Sequence, residues 1–211
     1  MQKDPRKDFN KESINWDNDN AKVHMANAIA QAMIDSGRVN KSQSALDFGC
    51  GTGLVTLAIL PHVKSIVGVD SSTGMLERLD EKIKTNQLTN ISTQFVDFEQ
   101  GTPIEGCFDL IISSMTAHHI PDTLELLKEW HRALGPQGQI CFADLDSEDG
   151  SFHSDNTGVF HYGFDRNMLK TYCEQAGFVN ITDRTATTII KEVDGQEKSF
   201  PIFLVCATKA V

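Results

Sequence analysis

The 211-residue sequence has no Cys-x-x-Cys pair, no long apolar run, no basic stripe and no charged-then-apolar leader. Each absence excludes a class of protein. The five cysteines, Cys50, Cys107, Cys141, Cys173 and Cys206, are scattered and odd in number. That argues against a disulfide framework or a zinc site and for a reducing compartment, with buried small hydrophobes as the ordinary reading. The longest apolar runs, such as 110–112 and 202–207, fall far short of the roughly 20 residues a bilayer span needs. Residues 1–20 are polar throughout, so no signal segment is expected and a cytoplasmic location follows by default. A net charge of −10 repels a phosphate backbone, so nucleic acid is not an expected partner, although tRNA and protein substrates stay open. The short apolar runs give no reason to expect a membrane.

What is present is an ordinary globular composition, 40% hydrophobic and 23% charged, in a chain long enough to bury a full core as one domain. Its centre is Ala45-Leu46-Asp47-Phe48-Gly49-Cys50-Gly51-Thr52-Gly53-Leu54, where a short apolar strand meets three alternating glycines and then a helix. Glycine reaches backbone angles other residues avoid and lets a ligand lie against the main chain. The helix start beyond it offers N–H groups, which makes this a pocket for a nucleotide-like ligand.

Strands and helices then alternate. Strands are expected over 44–48, 65–69, 91–96, 108–113 and 139–145, with helices between them, and the third of these runs into Asp97-Phe98. Asp70 ends the second strand, and Ser71-Ser72-Thr73 supplies capping side chains for the helix that follows it. Asp122 caps the helix before the fifth strand, which Gly135-Pro136-Gln137-Gly138 stops, and the fifth strand ends in Asp144 and Asp146. A helix capped by Asp165 follows, with Phe164 able to staple onto Leu169. Two strands around Asp194-Gly195 close the chain as an antiparallel hairpin. Such alternation is the signature of an α/β doubly wound sheet with helices on both faces. Before the first strand, helical spacing over 20–33 and the apolar Phe9, Ile14 and Trp16 point to a docked N-terminal arm and helix, residues 1–35, that cap the pocket.

Together these residues resemble the class I S-adenosylmethionine-dependent methyltransferases over nearly the whole chain. Asp-x-Gly-x-Gly-x-Gly at 47–53 is similar to the family's first motif, Asp70 to its acidic second, Asp97-Phe98 to its third and Phe108-Asp109-Leu110-Ile111-Ile112-Ser113 to its fourth. The segment 131–138 departs in one place, with Pro-Gln-Gly where Pro-Gly-Gly is usual. The resemblance implies a Rossmann-like seven-stranded sheet of order 3-2-1-4-5-7-6 with the last strand antiparallel. It also implies S-adenosylmethionine as cofactor, S-adenosylhomocysteine as product and a small-molecule methyl acceptor.

The physical reading explains the residue types. The loop N–H groups would face the methionine carboxylate, and Asp47 would accept from its ammonium. Asp70, with two acceptor oxygens, would take both ribose hydroxyls. By the resemblance, Asp97 accepts from the adenine amine, and Met75 and Phe98 wall the base. Gly49, Cys50, Gly51, Gly53, Ser71, Ser113 and Ser114 complete the expected cofactor set.

Methyl transfer needs alignment above all, and a base only where the acceptor carries a proton that must leave. His118 and His119, after the fourth strand, are candidates for substrate contact or for loop packing. The long loop 147–163 brings His153, Asp155, His161 and Tyr162, with His161 the first candidate for base or substrate ligand. Trp16 is either a pocket lid or a docking anchor. No metal site is expected, and the scattered cysteines do not support arsenite as acceptor. Two other readings stay open: a cofactor-binding protein without chemistry, and a nicotinamide-dependent oxidoreductase, whose fingerprint would require glycine at Leu54.

Overall fold

The computed structural model describes residues 6–210, so the first five residues of the expected arm and Val211 lie outside the described residues. Seven strands form one sheet in the order β3-β2-β1-β4-β5-β7-β6. Their ranges are β1 Ser44–Phe48, β2 Ser65–Asp70, β3 Ile91–Phe95, β4 Phe108–Ser114, β5 Leu134–Leu145, β6 Phe178–Val193 and β7 Gln196–Lys209. β1 through β5 pair in parallel, β7 runs antiparallel to β5, and β6 antiparallel to β7. The order and the antiparallel β7 are those the resemblance implied.

Both faces of the sheet are covered, which is why its central strands read as continuous apolar runs rather than alternating ones. In β4, Leu110 and Ile112 pack into one core and Ile111 into the other. The first core holds the buried faces of α2 (Asn20–Asp35), α3 (Leu54–Ile59) and α4 (Thr73–Thr85). The second holds α5 (Thr123–Ala133) and α6 (Arg166–Gln175), with Trp130, Leu127, Leu169 and Cys173 buried. Each such aliphatic or aromatic side chain contributes on the order of 1.5–3 kcal/mol of burial, so the sheet holds the strand ends rigidly where the loops emerge.

The helices begin where short polar side chains satisfy their first amides. Asp19 accepts from Ala21 and Lys22, Ser72 from Met75, Asp122 from Glu125, and Asp165 from Asn167 and Met168. A short helix α1 (Phe9–Glu12) precedes α2. The hairpin turn has φ of +51° at Asp194 and +76° at Gly195, the paired left-handed conformation that matches strand twist. One boundary differs from expectation. Gly135-Pro136-Gln137-Gly138 stops α5, but β5 has already begun at Leu134, which pairs with Phe108 before the register shifts to Leu110 with Gln139. The turn residues interrupt a ladder rather than precede it.

Candidate functional site

A cavity of about 710 Å³ opens at the carboxyl ends of β1, β2 and β4, the place where open parallel sheets leave a crevice. Of the residues expected at a site, Asp47, Gly49, Cys50, Gly51, Asp70, Ser71, Met75, Asp97, Phe98, Ser114, His118, His119, His153 and Trp16 line it. Gly53, Ser113, His161 and Tyr162 do not.

The glycine loop is left-handed at Gly49, Gly51 and Gly53, with φ of +73°, +54° and +86°. A Cβ on Gly49 would stand 2.3 Å from the Thr116 side chain, and one on Gly53 2.4 Å from Leu79. Gly53 therefore serves the packing of the loop onto α4 and does not face the cavity. The amides of the loop correct a second expectation. Gly49 and Cys50 both donate to Val69 O (2.9 and 3.0 Å), Gly51 donates to Asp70 Oδ2 (2.8 Å) and Gly53 to Cys50 O (2.9 Å). These N–H groups hold the loop closed, and are not available to a carboxylate.

Three carboxylates mark one end of the cavity. Asp47 is 1% exposed and accepts from Thr56 Oγ1 at 2.6 Å. Burial raises its pKa to about 7, with the Thr56 bond opposing and the Asp70 charge adding. Asp70 accepts from the Gly51 and Ser72 amides, both at 2.8 Å, and burial raises its pKa despite those bonds. Asp97 receives Arg6 Nη1 at 2.7 Å. Met75 and Phe98 supply apolar walls nearby, and Phe98 meets Phe48 edge-to-face at 6.4 Å. Ser113, by contrast, is buried and donates to Phe48 O at 2.9 Å; it ties β4 to β1.

The other end is built around histidine. His118 is 1% exposed, and its Nδ1–H donates to Asp144 Oδ1 at 2.7 Å. Asp144 also accepts from the His118 amide (3.2 Å) and the Leu145 amide (2.8 Å). Burial alone would raise the Asp144 pKa, but the His118 charge and these bonds hold it below the usual carboxylate range. With Nδ1 engaged by Asp144, Nε2 is the open nitrogen of the ring, and it is buried without a partner. His119 lies at a ring distance of 4.2 Å and His153 at 5.0 Å from His118. His119 donates from Nδ1 to Gly158 O at 2.7 Å, and His153 Nε2 is likewise buried and unpartnered. Burial, reinforced by the neighbouring cations, lowers the His119 pKa to about 4 and that of His153 to about 3. Met115, between the two ends, has φ of +54° on a non-glycine residue, backbone strain of the kind that clusters at functional sites.

His161, the first candidate for base from the sequence, is elsewhere. Its Nε2 lies 3.0 Å from Ile120 O and 3.4 Å from Thr123 Oγ1, and its ring packs on Phe164 at 5.0 Å. The loop turns this side chain inward against the second core. Tyr162 is 48% exposed on the outside of the loop, and Asp155 caps the turn at Thr157. Among the described residues no group of three or more His, Cys, Asp or Glu side chains is arranged to hold a metal ion, and no helix is long and apolar enough to cross a membrane.

Sequence reasoning missed Asp144, whose signal was an acid at the end of the fifth strand. It also missed the arm's grip on the site. Thr52 Oγ1 donates to Asp17 Oδ1 (2.5 Å), Lys82 reaches Asp17 Oδ2 (2.7 Å), and Ser72 Oγ and the Gly74 amide donate to Asn10 Oδ1 (2.9 and 2.8 Å). No pattern in the sequence pairs these residues.

Residues 45–138 match the family model described as a methyltransferase domain. That matched segment holds the glycine loop together with Asp47, Asp70 and Asp97. An uncharacterised methyltransferase of Schizosaccharomyces pombe is 34% identical over 134 residues, covering 57% of this chain and 47% of that protein. The chain spans about half the length of the curated relatives it matches, 47% of that protein and 53% of a ubiquinone biosynthesis O-methyltransferase of Coxiella burnetii. Among solved structures, the YcgJ protein of Bacillus subtilis superposes with a TM-score of 0.72 at 18% identity, over 87% of this chain and 98% of that one. A phosphoethanolamine N-methyltransferase 2 of Haemonchus contortus in complex with S-adenosyl-L-methionine gives 0.68 at 16%, over 86% and 52%. At those identities the likeness shows the fold.

The cavity has a donor set that fits S-adenosylmethionine. A cationic amine would relieve the cost of the buried Asp47 carboxylate, vicinal hydroxyls would find lone pairs on Asp70, and an adenine edge would meet Asp97 beside the apolar Met75 and Phe98.

Proposed function

We propose that this protein transfers a methyl group from S-adenosylmethionine to a small-molecule acceptor, with His118 as general base. The observation that carries this reading is one continuous cavity with Asp70 and Asp97 on its wall at one end and the Asp144-held His118 at the other. When bound, the cofactor supplies an electrophilic methyl on a sulfonium. Asp70 and Asp97 orient the nucleoside, and Asp47 balances the amine. Asp144 fixes the His118 ring and its tautomer, so that Nε2 takes the proton of the acceptor as its nucleophile attacks. His119 and His153, both neutral at pH 7, shape that end without adding charge. Phe9 and Trp16 shield it, their rings 6.1 Å apart and Phe9 5.1 Å from His119, so water is kept from the reacting atoms.

In this reading the chain is one domain, its first 35 residues cover the pocket, and it works in the cytoplasm, where five unpaired cysteines stay reduced. A nicotinamide cofactor is set aside, because the family match and the closing hairpin fit the methyltransferases instead. The test is methyl transfer from tritiated S-adenosylmethionine into a small-molecule metabolite fraction. Label should enter that fraction with the wild type and not with Asp70→Ala. Tight cofactor binding with no transfer to any small molecule, peptide or RNA would instead leave a binding protein.

A further inference from the structure

The charges around the cavity are segregated. The cofactor end carries Asp47, Asp70 and Asp97, with Arg6 already paired to Asp97. The histidine end carries Lys7, Lys22 and Lys191, an unexpected concentration in a chain of net charge −10. The acids on that side are engaged elsewhere: Asp144 holds His118, Glu148 accepts from the Ser151 and Phe152 amides, and Asp8 and Asp19 serve helix starts. Asp8 accepts from the Lys11 amide at the start of α1, and Asp19 caps α2 while its other oxygen lies 3.6 Å from Lys22. Lys22 also sits 4.0 Å over the Trp16 ring.

Lys191 is the most pointed case. It projects from β6 into the cavity wall, half-buried, with Nζ 3.6 Å over the Phe152 ring and 2.7 Å from Phe152 O. It has no carboxylate partner among the described residues, and neither has Lys7. Asp19 and Glu148 favour the Lys191 charge from a distance but neither forms an ion pair with it, so an ammonium held over a ring and a carbonyl, partly stripped of water, has room for a closer anion. Its burial disfavours the charge, and lowers the Lys191 pKa. Beside it, His118 Nε2 and His153 Nε2 are unpartnered nitrogens, and Phe9, Trp16, Phe152 and Ile189 supply apolar surface.

We infer that the methyl acceptor is a small organic anion, a carboxylate or phosphate, that seats its charge on Lys191 and presents an O–H or N–H nucleophile to His118. This rests on the methyltransferase reading and names its substrate class. The lone pair of that oxygen or nitrogen forms the new bond to the methyl carbon as the carbon–sulfur bond breaks. The bonding pair stays on sulfur, leaving a neutral thioether, and the proton passes to His118 Nε2. A neutral acceptor would leave Lys191 without a direct ion-pair partner, and an acceptor with no proton would leave His118 Nε2 unsatisfied.

The test is calorimetry on protein first saturated with S-adenosylhomocysteine. The probes are 4-hydroxybenzoate, anthranilate, lactate and phenyl phosphate, set against methyl 4-hydroxybenzoate, methyl anthranilate, methyl lactate and phenol. Binding is expected within the anionic half, with each neutral counterpart at least tenfold weaker. The carboxylate and phosphate arms distinguish the two anion sources. Lys191→Met should weaken the bound anion about tenfold or more while the S-adenosylhomocysteine affinity and Tm stay unchanged. Neutral probes binding as well as their anions, no anion binding, or equal affinity in Lys191→Met would each overturn the inference. Failure of S-adenosylhomocysteine to bind in the first titration would instead overturn the reading beneath it.

Discussion

The two ends of the cavity are made by different means. The cofactor end is assembled from successive strand–loop junctions, Asp47 on β1, Asp70 on β2 and Asp97 just past β3, so each functional group sits at a position the sheet itself dictates. The acceptor end is assembled from pieces far apart in the chain: Phe9 and Trp16 from the arm, His118 after β4, Asp144 from β5, His153 from the long loop and Lys191 from the edge strand β6. The first follows the parallel strand order, and the second depends on segments distant in the sequence that the strand order alone does not bring together.

The largest expected effect separates the ends by function. Asp70→Ala removes the hydroxyl acceptor and the bond that holds the Gly51 amide, so S-adenosylhomocysteine affinity should fall at least about 100-fold, two buried charge-assisted bonds being lost together. At the other end, His118→Gln should lower turnover on an identified acceptor by about 100-fold, the ordinary contribution of a general base, with S-adenosylhomocysteine affinity unchanged. Asp144→Asn should follow it in direction, lowering kcat with KM unchanged, which a merely structural role would not do. If either acceptor-end variant loses cofactor affinity as well, the two ends are not separable.

Gly53→Ala tests the loop itself. A side chain at φ of +86° and 2.4 Å from Leu79 should cost about 2–4 kcal/mol of stability, read as a lower urea midpoint. Weakened cofactor binding at full stability would return Gly53 to the pocket wall.

The ends should also titrate with opposite sign. Asp47 is raised from 3.8 to about 7 in the folded protein, so its contribution to stability is complete below pH 4 and is lost as pH rises through 7. His119 and His153 are lowered from 6.5 to about 4 and about 3. Their contribution is complete above pH 6.5 and is lost as pH falls towards 3. Asp47→Asn should therefore raise Tm at pH 8 relative to pH 5 by a few degrees, and His153→Gln should do the reverse, about 1 kcal/mol moving Tm by roughly 2–4 °C in a chain of this size. The smallest effect is the one expected of His161→Ala, which should leave turnover within about twofold because the ring bonds Ile120 O outside the cavity.

The contrast between the ends also governs what the sequence disclosed. Strand positions, the helix caps at Ser72, Asp122 and Asp165, and the acids at the ends of β1, β2 and β3 were legible because strand periodicity and capping chemistry are local. The sheet order came with the family resemblance, and the Asp19 cap went unread. The early start of β5 was not, since Gly-Pro-Gln-Gly signals a break whether or not a ladder resumes beyond it. The His118–Asp144 pair spans 26 residues and is closed only by adjacent parallel strands. His161 and His153 share one loop, and nothing local says which ring turns into the cavity and which into the core. The loop amides misled for a related reason: a glycine-rich turn can hold a ligand or hold itself, and here it does the second.

The central claim is that the acidic end holds the cofactor through Asp70 and Asp97 and takes its amine at Asp47. Calorimetric titration of S-adenosylhomocysteine into the wild-type protein at pH 6, in two buffers of different ionisation enthalpy, tests this most directly. One-to-one binding is expected, with about half to one proton released as Asp47, half or more protonated at that pH, ionises beside the incoming ammonium. No binding heat, or binding with no proton released, would contradict it.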